Sequence, residues 1–142
     1  MEEQTIFNIL HNMDKVTNTL IIQWNKIFDE DLGISHVLVL GHIKINGPTR
    51  PSDLAKMLGL TPPTLTHLSE KLVRRGLAKR IASEKDRRMI YLDITEEGEN
   101  VIDRANLKGH ALRKKIFSSL TEEEKTQLLH IYEKLNEALV KG

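Results

Sequence analysis

The chain has no cysteine. That one absence excludes a disulfide framework, a zinc ribbon and any thiol-based redox switch, and it fits a reducing cytosol. No apolar run approaches the roughly 20 residues that a membrane span needs. The first residues, MEEQTIF, carry acids where a secretory leader would carry basic residues, so no signal peptide is expected and the expected location is cytoplasmic. Enzyme signatures are missing as well. There is no nucleophile elbow, phosphate loop, HExxH or Rossmann fingerprint. The six histidines, His11, His36, His42, His67, His110 and His130, are scattered, and none forms an i, i+4 pair. Catalysis is not expected, and neither is a metal or a cofactor. Charge of one sign is also scarce over the whole chain, whose formal net charge is +1.

What is present is a chain of 142 residues, of which 39% are apolar and 29% charged, enough for one domain with a real core. Charge is unevenly placed. Residues 61–91 hold Lys71, Arg74, Arg75, Lys79, Arg80, Lys85, Arg87 and Arg88 against only Glu70, Glu84 and Asp86, so the remainder of the chain is net negative. A basic middle on an acidic frame is the footprint of a patch for a polyanion; it is also what a solvated basic face looks like.

Periodicity orders the elements. Ile6, Leu10, Met13, Val16, Leu20, Trp24 and Ile27 recur at steps of three and four and predict an amphipathic helix of about six turns. So long a helix needs a partner to lie against. Gly33 interrupts it. Ser35 is expected to cap a second helix with Val37, Leu38, Leu40, Ile43 and Ile45 as its apolar set, ended by Asn46-Gly47-Pro48. Pro51 suits the first turn of a third helix, which buries Leu54, Ala55 and Leu58 and stops at Gly59. Thr61-Pro62 supplies a cap and a first-turn proline for a fourth helix running to Gly76. Residues 77–81 and 90–94 alternate as two strands of a hairpin, with Ile90, Leu92 and Ile94 on one face and SEKDRR as the loop. Thr95 caps a fifth helix whose stripe is Val101, Ile102, Ala105, Leu112 and Ile116. A capping box at Thr121–Glu124 opens a sixth, with Leu128, Ile131, Tyr132, Leu135 and Leu139 as its seam.

Helix, short helix, turn, helix and hairpin make a winged helix-turn-helix, in a chain that is mainly α with one small β-hairpin. At 100° per residue, Leu65, Leu68 and Leu72 of the fourth helix lie together with Ser69 beside them. Pro63, Thr66, His67, Glu70 and Arg74 take the other side, flanked by Thr64 and Lys71. The N-terminal part of such a helix meets base edges in the major groove. Thr64 and Thr66 can touch a thymine methyl or a base acceptor, and His67 can donate to a guanine or a phosphate. Thr61 opens that face. Lys71, Arg74 and Arg75 are expected nearer the phosphates. On the hairpin tip, Lys85, Asp86, Arg87 and Arg88 form the wing. An arginine there can enter a narrow minor groove, with Asp86 binding a neighbouring guanidinium to fix its aim. The other reading is a solubilising hairpin whose charges protect an edge strand.

The stretch RPSDLAKMLGLTPPTLTHLSEKLVRRGLAKRIASEKDRRMIYLDITEEG resembles the DNA-binding core of the MarR family of bacterial transcriptional regulators. LAKMLGLTPPTLTHLSEKLVRRGL is similar to that family's third and fourth helices, and DRR followed by alternating residues and LDITEEG to its wing. The resemblance implies a single subunit over 1–142, with residues 1–32 and 99–142 as a helical dimerisation region and 33–98 as the DNA-binding lobe. It implies a homodimer on a double-stranded, pseudo-palindromic operator, usually a repressor relieved by a small ligand or by oxidation; cysteine oxidation is already excluded. Thr64, Thr66 and His67 become base readers, and Asp86 with Arg88 matches the wing's Asp-x-Arg element. Two positions depart from the pattern. Where His67 stands the family often has arginine, and Arg50 replaces a small capping residue before Pro51.

A dimer also follows physically, because the terminal stripes would leave large apolar patches on a monomer. Two-fold symmetry would then set the recognition helices about 34 Å apart, one turn of DNA, or a multiple of it. A ligand between helical frame and lobes would regulate only by preferring one spacing. Two further readings remain at this point. His42 and His110 could converge with a carboxylate on zinc, although such histidines are more often partly buried polar groups. The winged helix could also be a protein-binding scaffold without DNA.

Overall fold

The computed structural model describes residues 1–141. Its elements are α1 (Glu2–Ile27), α2 (Ile34–Asn46), α3 (Pro51–Leu58), α4 (Pro62–Arg74), β1 (Ala78–Ala82), β2 (Ile90–Ile94), α5 (Glu96–Phe117) and α6 (Glu122–Lys141). No helix among the described residues is long and apolar enough to cross a membrane. The chain forms two compact units, Met1–Lys108 and a second beginning at Gly109, so the seam falls inside α5. The lobe expected over 33–98 is thus packed as part of a larger unit. Side chains on both of its flanks explain this: Trp24 and Phe28 of the α1 end, and Val101, Ile102 and Ala105 of α5, are as deeply buried as Leu40, Ile43, Leu54, Leu65 and Leu72 of the lobe.

Most boundaries arise from local chemistry. Pro51 and Pro62 sit in the first turns of their helices, where a missing N–H costs nothing. Gly59 has φ +66°, the left-handed stop that closes α3. The Thr121 N–H donates to Glu124 Oε1 at 2.9 Å and the Glu124 N–H to Thr121 Oγ1 at 3.1 Å, the reciprocal pair that starts α6. In α5, Thr95 Oγ1 accepts from the Gly98 N–H at 3.0 Å, and the helix continues unbroken past Gly109.

Several expectations are corrected. Ser35 does not cap α2. The helix begins two residues earlier, at Ile34, with Gly33 at the cap and its N–H donated to Nδ1 of His36 at 3.1 Å. In α2 the buried set is Val39, Leu40 and Ile43, while Leu38 and Ile45 are exposed. Helix α4 ends at Arg74 rather than Gly76, and Gly76 (φ +73°) is the turn beyond it. Strand β1 starts at Ala78 rather than Leu77, because both backbone groups of Leu77 are engaged elsewhere. Its N–H bonds Leu72 O at 2.9 Å, closing α4, and its carbonyl accepts the Thr95 N–H at 3.1 Å.

The strands pair antiparallel with Ala78 opposite Ile94, Arg80 opposite Leu92 and Ala82 opposite Ile90. On its other edge β2 is bridged by Thr49, whose N–H and carbonyl both bond Leu92, at 3.0 and 2.8 Å. That anchors the base of the hairpin to the α2–α3 connection. Farther out the support ends: Ile90, expected inside with Leu92 and Ile94, is 46% exposed.

Candidate nucleic-acid interface

Helix α4 buries Leu65, Leu68, Ser69 and Leu72 and leaves Thr61, Pro63, Thr64, Thr66, His67, Glu70 and Arg74 exposed on the other side. Its N-terminus is pre-set. Thr61 Oγ1 accepts from the Thr64 N–H at 3.3 Å, and the Thr61 hydroxyl donates to Thr64 Oγ1 at 2.8 Å. The Thr64 side chain is therefore fixed by its neighbour before any ligand arrives. Thr66 and His67 make no side-chain hydrogen bond among the described residues, and Arg74 makes no ion pair.

Lys71 in the last turn of α4 and Arg75 just after it are placed differently. Lys71 Nζ lies 3.2 Å from Asp31 Oδ2. Arg75 Nη1 donates to the carbonyls of Glu30 at 2.6 Å and Asp31 at 3.3 Å. Both side chains turn to the corner between α1 and α2. The structure thus brings Thr61, Pro63, Thr64, Thr66, His67 and Arg74 onto one open face and draws Lys71 away from it.

The corner was not visible in the sequence pattern. Asp31 has φ +56°, a left-handed conformation that aspartate tolerates better than most residues. Glu30 is gripped by Arg104 of α5 through two bonds, Nε to Oε2 at 2.8 Å and Nη2 to Oε1 at 2.7 Å. The Arg104 hydrogen bond holds the Glu30 carboxyl below the usual carboxylate range, against an opposing push from burial. His36 sits close by. Burial lowers its pKa, Lys71, His67 and Arg75 add to the effect, and Asp31 opposes it. A cleft of about 390 Å³ lies along the corner between Asn25, Phe28, Asp29, Asp31, Leu32, Gly33 and Lys71. A second, of about 290 Å³ and more apolar, lies between the starts of α3 and α4 and includes Pro51, Ala55, Leu60, Pro62, Leu65 and Thr66.

The hairpin tip is held by its own polar atoms. The Ser83 N–H bonds Met89 O at 2.8 Å and the Met89 N–H bonds Asp86 O at 3.0 Å. Ser83 Oγ accepts from the N–H groups of Lys85 and Asp86 at 3.2 and 3.4 Å. Asp86 Oδ1 accepts from the Arg88 N–H at 3.0 Å and from its Nε at 3.3 Å. So Asp86 orients Arg88, whose side chain is still 92% exposed, while Arg87 and Lys85 are exposed and without an ion pair among the described residues.

No group of three or more potential ligands among the described residues could hold a metal ion. His42 lies 3.3 Å from Asn46 Nδ2 through its Nε2.

An exposed helix start and an arginine-tipped hairpin, on a helix-turn-helix base, define a winged helix of the DNA-binding class. A family model described as "MarR family" matches residues 32–90. The HTH-type transcriptional repressor MdtR of Bacillus subtilis is 32% identical over 104 residues, 73% of this chain and 67% of MdtR. A mutant MarR from E. coli complexed with operator DNA superposes with a TM-score of 0.83 at 21% identity, covering 92% of this chain and 95% of that one. The PcaV transcriptional regulator of Streptomyces coelicolor, in complex with its natural ligand, gives 0.84 at 19% identity, covering 91% and 92%. The chain belongs to the MarR family of transcriptional regulators. It is a DNA-binding regulator of transcription and not an enzyme.

Proposed function

We propose that this chain acts as a cytoplasmic homodimeric repressor that sets two copies of α4 into the major groove of a pseudo-palindromic operator and two hairpin tips into the flanking minor groove. The observation that carries the reading is the uncommitted face of α4, with Thr64, Thr66, His67 and Arg74 open to solvent, together with an exposed Arg87 on the hairpin tip. Thr61 positions Thr64; Thr64, Thr66 and His67 read base edges, with Pro63 packing at the groove edge. Arg74 and Lys85 meet phosphates, and Arg87 and Arg88 enter the minor groove, the latter aimed by Asp86.

Dimerisation is supported by the apolar residues left exposed near the two termini: Ile6, Phe7, Leu10 and Val16 on α1, and Ile131, Leu135 and Leu139 on α6. They are spaced as helical stripes, the pattern of a surface that a second helix covers. A small-molecule effector is supported by PcaV, whose fold this chain shares and which was solved with its natural ligand. The effector acts by binding one spacing of the recognition helices better than the other.

A salt titration against a mixed-sequence duplex tests the reading. Affinity that falls steeply as salt rises supports phosphate neutralisation by a basic surface. Absence of binding at low salt would leave a protein-binding scaffold instead. Sedimentation of the same material must return a dimer.

A further inference from the structure

Two cations at the end of α4, Lys71 in its last turn and Arg75 just beyond it, turn to the α1–α2 corner and away from the open face of the helix. Lys71 sits against the Asp31 carboxylate, and Arg75 donates to the carbonyls of Glu30 and Asp31. The same two-residue corner is held from the other side by Arg104 of α5, which grips the Glu30 carboxylate with two bonds. Asp31 is left-handed, and the two carbonyls of the corner and the Asp31 carboxylate face the end of α4 while the Glu30 carboxylate faces α5. Helices α1, α4 and α5 therefore meet at two residues.

Both cations are less free to bind a phosphate than Arg74. The Lys71 side chain is only 21% exposed, and the carboxylate beside its ammonium is 91% exposed, so an approaching phosphate would meet the negative partner first. The Arg75 guanidinium is already donating to two carbonyls. Arg74, one residue away, has no such partner among the described residues and stays open to solvent.

We propose that Lys71 and Arg75 are positioning residues: they clasp the C-terminal end of the recognition helix to the α1–α2 corner, and so to α1 and α5, instead of contacting DNA. The inference rests on the reading above that α4 is the recognition helix. The clasp sets the angle at which α4 leaves the body of the subunit, which makes operator affinity depend on Asp31, a residue that touches no nucleotide.

The test uses the full chain and a duplex selected from a randomised pool by the unmodified protein. Asp31→Asn removes the charge and keeps a residue that tolerates the left-handed backbone; Lys71→Met keeps the buried stem. Each is expected to weaken binding by about two- to five-fold, the range an exposed ion pair supports, and the double variant to be no worse than either alone. The slope of log affinity against log salt stays unchanged in all three. Amide exchange at residues 73–77 speeds up in each. Tighter binding and a steeper slope in Asp31→Asn would show that Asp31 merely masks a phosphate ligand and would overturn the clasp. So would a slope reduced by about 0.9 in Lys71→Met, the loss of one phosphate contact. Unchanged affinity or unchanged exchange at residues 73–77 overturns it too. Failure of the DNA reading is seen separately, as a flat salt response of the unmodified protein or an Arg87→Ala slope equal to it, while the exchange data still decide whether the clasp exists.

Discussion

The two ends of α4 are finished in opposite ways. At its start, Thr61 and Thr64 satisfy each other and the side chains that follow, Thr66 and His67, have no hydrogen-bond partner among the described residues. At its end, Lys71 and Arg75 are engaged with the α1–α2 corner, and the backbone beyond is tied down as well. Thr95 Oγ1 donates to Gly76 O at 2.7 Å, and the Thr95 N–H reaches Leu77 O at 3.1 Å. One end is free to meet a ligand, and the other fixes where the free end points. Basic charge alone does not tell which groups are free: of three cations within five residues, only Arg74 is uncommitted among the described residues.

The contrast can be broken most severely at the held end. A Cβ on Gly98 would run into the Leu77 carbonyl and lie 2.7 Å from Ile94 Cγ1, and the Leu77 backbone has little room to yield. Gly98→Ala should destabilise the fold by about 3 kcal/mol or more, read as a lower urea midpoint. A midpoint within error of the parent would mean that the start of α5 is not seated on Leu77.

The free side is next. Arg87→Ala with Arg88→Ala should weaken duplex binding by roughly tenfold or more at moderate salt, with the melting temperature little changed, since both side chains are exposed. Loss of affinity accompanied by a large fall in melting temperature would make the wing arginines structural. His67→Ala acts more narrowly. Selection from a randomised pool should return a motif altered at one position of each half-site, a preference of about 1–3 kcal/mol lost there. The same motif from both proteins would remove His67 from the readers.

The smallest effect belongs to the corner and depends on pH. His36 Nδ1 accepts the Gly33 N–H, which requires the neutral ring, and burial holds its folded pKa below the ordinary value. The charges around it are Lys71, Asp31, His67 and Arg75. Because the unfolded chain takes up the proton first, the contribution of His36 is complete above its unfolded pKa of about 6.5 and is lost as pH falls through the lowered folded value. The urea midpoint of the parent should therefore fall more between neutral and mildly acidic pH than that of His36→Gln. Equal falls would dissociate His36 from the acid sensitivity.

How much of this was legible in the sequence depends on distance along the chain. The Thr61 cap, the Gly59 stop, the Thr121 capping box and the order helix, helix, hairpin are signals carried within four residues, and periodicity exposes them. So does the Asp86–Arg88 pairing, two residues apart. The one-residue shift of β1 was hidden because Leu77 bonds Leu72 on one side and Thr95 on the other, and the second partner is remote. The Thr49 bridge to Leu92 was hidden for the same reason. Lys71 and Arg75 read as phosphate ligands because helical geometry puts them beside Arg74, and their hold on the α1–α2 corner was hidden. Their partners, Glu30 and Asp31, lie some forty residues upstream in a left-handed turn that no periodicity announces. His36, three residues after the Gly33 cap, was not on any cap pattern either, since a ring nitrogen stands where a capping box carries a glutamate or glutamine oxygen.

The most direct test of the division within α4 compares adjacent arginines. The salt dependence of duplex binding should be measured for Arg74→Ala and Arg75→Ala beside the unmodified chain. The free arginine should take about 0.9 from the slope when removed, and the held one should lower affinity while leaving the slope where it was. Equal slope losses for the two would contradict the account.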